Sequence, residues 1–171
     1  MTYKAEKAKM MSDNDLTNAL CRTWKVIQVR ERGYDAYEGE YDDIYIPEEN
    51  PNDDEMVSEI MISKSGTMVN FYCTGRILAF YWKWENMAKG EIRSSMDNIW
   101  NNDDEGIATV TFSAGNKLTL REYYRDFEEN EWYEITVDLV EKNPSVSEEE
   151  EENHGDVTIP AGSPLEKAFK G

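Results

Sequence analysis

Hydrophobic and polar positions alternate most strongly between residues 57 and 95. In residues 76–84 (RILAFYWKW), Leu78, Phe80, Trp82 and Trp84 share one face, while Ile77, Ala79, Tyr81 and Lys83 share the other. A period of two in aromatic and β-branched residues predicts a strand. A helix would bring Phe80 and Trp84 together but scatter Leu78 and Trp82. The stretch predicts four antiparallel strands joined at Lys64-Ser65-Gly66, Thr74-Gly75 and Met87-Ala88-Lys89-Gly90. Each turn ends in glycine, which takes the positive φ angles that such loops need.

On either side of this meander the pattern predicts further elements. Ser12-Asp13-Asn14-Asp15 reads as a capping box that opens a short helix, with Leu16, Ala19 and Leu20 as its apolar stripe. So short a helix persists only when docked, and one end of a barrel would serve. Residues 22–31 read as a first strand with Trp24 and Val26 on one face. Residues 32–56 read as a long loop holding Tyr34, Tyr37, Tyr41 and Tyr45 and ending in an acidic run; a loop of this length is often functional. After a polar loop at 97–106, strands are predicted at 107–112, 117–125 and 131–141, with Ile135, Val137 and Leu139 giving the last one an apolar face. The expected architecture is all-β, with eight antiparallel strands and a short N-terminal helix. Residues 1–11 form an N-terminal extension, 12–142 the domain, and 143–171 an acidic, flexible tail in which 156–159 could add a short strand.

Composition narrows the function. The chain has 171 residues, with 18 basic against 36 acidic side chains and a formal charge of −18. Such a surface repels nucleic-acid phosphates and anionic membranes, and favours cations or basic partners. No run of about 18 apolar residues marks a membrane span. Residues 1–11 lack the apolar core of a signal peptide, so the chain either works in the cytoplasm or starts after a removed leader. Cys21 and Cys73 permit one disulfide and equally permit two free thiols.

Little of the sequence spells out a reaction. The single histidine, His154, follows five glutamates in the tail, a poor setting for a rigid Ser-His-Asp or Cys-His relay. No C-x-x-C spacing points to zinc. Carboxylates are so numerous that no glycosidase pair stands out. Residues 101–106 (NNDDEG) resemble the front of a calcium loop, but Phe112 occupies the position of its bidentate glutamate. A weak surface cation site remains open there or at Asn52-Asp53-Asp54-Glu55. The expectation is a non-enzymatic protein with no cofactor and no resident metal.

Three short motifs carry a resemblance: Leu20-Cys21-Arg22-Thr23-Trp24-Lys25-Val26, Ile62-Ser63-Lys64-Ser65-Gly66-Thr67, and Phe80-Tyr81-Trp82-Lys83-Trp84. With the strand count and the long first loop, residues 12–142 resemble the lipocalin-like (calycin-type) domains of bacterial secreted or lipid-anchored proteins. Arg22 stands where those domains usually have glycine. Arg121 and Arg125 are the candidates for the arginine that stacks on the first tryptophan in lipocalins. The resemblance implies an up-and-down eight-stranded barrel, a monomer, and a secreted or cell-surface setting. It also implies binding of a small apolar ligand inside the barrel. Trp24, Val26, Phe80, Trp82 and Trp84 would line it, with Tyr41 and Tyr45 from a lid and Trp24 plugging one end. The alternative is a barrel filled by these aromatics, acting as a protein-interaction module through its acidic surface and first loop.

Overall fold

The computed structural model describes residues 13–100, 106–114 and 116–142. Helix α1, Asp13–Leu20, opens the fold. Asp13 and Asp15 lie in its first turn, where the helix dipole favours negative charge, and Leu20 at its end is fully buried. Nine strands follow among the described residues: β1 Thr23–Asp35, β2 Gly39–Tyr45, β3 Val57–Ile62, β4 Thr67–Tyr72, β5 Ile77–Asn86, β6 Glu91–Ser95, β7 Ile107–Ser113, β8 Lys117–Asp126 and β9 Glu131–Glu141. Every pairing is antiparallel, and β9 returns to pair with β1. Strands β1 and β3–β9 thus close an eight-stranded up-and-down barrel, as the resemblance implies, from the antiparallel strands and short N-terminal helix that the residue pattern predicts.

The ninth strand corrects one expectation. Residues 32–56 are not a single long loop. Residues 32–35 lengthen β1, and β2 folds back along it from Asp35↔Gly39 to Val29↔Tyr45. The reason lies in the turn. The Asp35 carboxylate accepts the backbone N–H groups of Tyr37 (2.8 Å) and Glu38 (2.6 Å), and Gly39 takes a φ of 78°. Across the hairpin, Arg30 grips Asp42 with two hydrogen bonds of 2.9 and 2.7 Å. Only residues 46–56 remain as loop, with one 3-10 turn at Pro47–Glu49.

Strand β1 serves two neighbours along one edge. Thr23, Trp24 and Lys25 pair with β3, and Val29 onward pairs with β2. Its other edge runs along β9 from Trp24↔Glu141 to Tyr34↔Trp132, with a register shift between Val26 and Gln28. That bulge at Ile27 lets Val26 and Val29 both face the interior, and it carries Glu31 to the same face.

The interior divides into a packed end and an open end. At the packed end the indole N–H of each of three tryptophans is hydrogen-bonded. Trp24 donates to the Leu20 carbonyl (2.9 Å), Trp82 to the Ser63 carbonyl (2.7 Å) and Trp84 to the Thr17 hydroxyl (3.1 Å). Trp82 and Trp84 meet edge to face at 5.9 Å. With Leu20 and Leu118 they form a floor docked against α1, which is the docking the short helix needs. The hairpin turn beneath requires its glycine: Gly90 has a φ of 70°, and a Cβ there would sit 2.7 Å from the Val110 carbonyl oxygen.

The two cysteines are free. Cys21 packs against the core beside the floor, and the Cys73 thiol approaches the Pro47 carbonyl at 3.7 Å. Among the described residues, no helix is long and apolar enough to cross a membrane. His154, the 147–152 acidic run, the 156–159 strand, the N-terminal extension, Ser12 and residues 101–105 of the calcium-like stretch lie outside the described residues.

Candidate functional site

Above the floor the barrel holds a cavity of about 550 Å³. Its lower wall is apolar and comes from strands all round the barrel: Val26, Ile60, Met68, Phe80, Ile92 and Leu120. Alternation places these side chains inward, since Ile62↔Met68, Met68↔Phe80, Trp84↔Ile92 and Ile92↔Ala108 lie on one continuous inner face. The upper wall is different. Glu31 from β1, Glu122 from β8, and Asp53 and Glu55 from the β2–β3 loop ring the mouth, with Tyr45 and Ser94 between them. Among the described residues that line the cavity, none is basic.

These acidic groups are mostly uncommitted. Glu122 has no hydrogen-bond or ion-pair partner among the described residues, and burial alone pushes its carboxyl above the ordinary carboxylate range. Glu31 and Glu122 both stand in register with Ile135 of β9, one on each side. Strand spacing therefore sets their backbones roughly 10 Å apart across a shared row. Asp53 accepts the backbone N–H of Glu55 at 2.9 Å. The Tyr45 phenol is pushed up by burial first, and then by the charges of Asp43, Glu31 and Asp53. Lower in the wall, Asn70 carries the one buried side-chain oxygen without a hydrogen-bond partner among the described residues.

The aromatic and aliphatic residues anticipated as lining separate into three groups. Val26 and Phe80 form cavity wall, and Tyr45 stands at its rim. Trp24, Trp82 and Trp84 belong to the floor below, where their N–H groups are held by protein acceptors. Tyr41 packs on Gly33 in the β1–β2 hairpin: a Cβ on Gly33 would run into the Tyr41 ring and the Trp132 carbonyl. Glu31, Glu122 and Asn70 were not anticipated. Simple alternation from Leu118 and Leu120 points to Glu122, whereas Glu31 faces inward only because of the bulge at Ile27.

The outer face holds its own charge network. Glu134 is 7% exposed and sits between Arg32 (Nε, 2.6 Å) and Arg121 (Nε, 2.7 Å). Those hydrogen bonds, led by that from Arg32, hold its carboxyl below the usual range. Arg121 lies over Tyr123 and Arg125 over Phe127, so both candidates for a tryptophan-stacking arginine are engaged on the outside of β8. No three His, Cys, Asp or Glu side chains among the described residues are gathered as a metal site.

Comparison with known proteins adds a distant likeness. No family model and no curated protein matches the chain. Among solved structures it is similar to a deswapped triple mutant of bovine odorant-binding protein. The two are 14% identical with a TM-score of 0.39, over 79% of this chain and 81% of that one.

Proposed function

We propose that the protein is a non-enzymatic binder that holds one small, largely apolar molecule in the barrel cavity. The observation that carries this is the cavity itself. Its volume of about 550 Å³ falls within the range of small-molecule pockets, and its lower wall is apolar. A filled barrel acting only through its surface would leave no such space, so the cavity supports the binding reading over the interaction-module one. Val26 and Phe80 grip the ligand, and Tyr45 overhangs it from the β2–β3 side. On the resemblance of its three motifs, we assign the protein to the cell envelope or the extracellular space.

Native mass spectrometry of freshly purified, unreduced protein tests the reading, with titration of a neutral apolar fluorophore as its partner experiment. Extra mass that disappears on denaturation, or saturable one-to-one binding of the fluorophore that Ala108→Phe abolishes, is the expected result. A bare protein that also fails to bind the fluorophore would overturn it.

A further inference from the structure

The cavity is amphipathic, and its polarity has a sign. We propose that its ligand is a protonated amine on an apolar body, with the ammonium group held at the mouth between Glu31 and Glu122. The inference rests on the binding function proposed above and names the chemical class that this site takes.

Two observations carry it. First, Glu31, Glu122, Asp53 and Glu55 all border the cavity, and no described lining residue supplies a countercharge. A carboxylate removed from bulk water is stable only when paired or protonated. Elsewhere in this barrel the carboxylates Asp42, Glu85 and Glu134 have found arginines. Glu122 has found none. Second, the polarity is graded along the barrel axis. The carboxylates are at the mouth and the aliphatic residues Val26, Ile60, Met68 and Leu120 are below. A neutral apolar ligand leaves the ring of acids unused, and a fatty acid places like charges together. An alkylamine satisfies both levels at once. The net charge of −18 acts in the same direction, raising the local concentration of organic cations.

Isothermal titration calorimetry at neutral pH and low salt tests this with three probes of one chain length: decylamine, decanol and decanoate. Decylamine is expected to bind about tenfold tighter than decanol, a hydrogen-bonded charge pair being worth at least that factor. Decanoate is expected to bind weakest. In the Glu31→Gln/Glu122→Gln double variant, the amine-to-alcohol affinity ratio is expected to fall toward one, with a thermal melt confirming that the variant is folded. An amine that binds no tighter than the alcohol overturns the inference while leaving the cavity function standing. So does a preference that survives the double substitution, with decanol bound throughout. If none of the three binds, both this inference and the function beneath it fall.

Discussion

Two glutamates show how one residue type is put to opposite uses. Glu122 is half-buried with no partner, so its carboxyl is raised by desolvation. An acid whose pKa is higher folded than unfolded binds its proton more tightly in the folded state. Its penalty is therefore absent below the ordinary carboxyl value of 4.5 and grows as pH rises through the folded value. Glu122→Gln is expected to raise the melting temperature at neutral pH, and the gain should vanish in melts taken below that ordinary value. Glu134 has the reverse sign. Its carboxyl is depressed by Arg32 and Arg121, so its contribution is full above 4.5 and is lost as pH falls through the folded value. Glu134→Ala leaves two arginines facing each other across an empty position. It should cost about 1–3 kcal/mol in urea denaturation at neutral pH, with the deficit shrinking in acid.

At the scale of elements, much of the fold was legible because burial enforces alternation. Leu78, Phe80, Trp82 and Trp84 face inward as their spacing predicts, and the turns at Gly66, Gly75 and Gly90 adopt the positive φ expected of them. The β1–β2 hairpin was not legible. Its turn is made by the Asp35 side chain rather than by a glycine pair, and it hides within a run of tyrosines and acids. The charge of the cavity mouth was hidden for a different reason. Counting by twos from Trp24 and Val26 would turn Arg30 and Arg32 inward. The bulge at Ile27 turns Glu31 and Gly33 inward instead and leaves both arginines outside with Asp42 and Glu134. One unpaired residue thus reverses the sign of the pocket. The hairpin above it leans on the missing side chain of Gly33. Gly33→Ala should therefore cost about 1–3 kcal/mol through overpacking, with faster hydrogen exchange concentrated in Gly39–Tyr45. Floor and wall should also separate cleanly. Trp82→Ala is expected to lose about 3–5 kcal/mol of stability. Phe80→Ala should act chiefly on fluorophore affinity.

The whole molecule depends on its closure. Strand β9 is both the last element of the described residues and the one that gives β1 its longest partner, from Trp24↔Glu141 to Tyr34↔Trp132. Contacts of such sequence separation form late and slowly. A chain ending at Asn130 would leave the edges of β1 and β8 open, and it is expected to show no cooperative thermal transition by circular dichroism. The tryptophan floor has a further consequence, one of traffic. A barrel sealed at one end is a blind alley: whatever enters must leave by the same door, and the water it displaces must pass it on the way out. On the binding function proposed above, a long guest would enter tail first, with its leading end in the aliphatic depth and its trailing end at the threshold. A molecule charged at both ends would stall there, and the protein would sort its guests by their orientation before it measured their size.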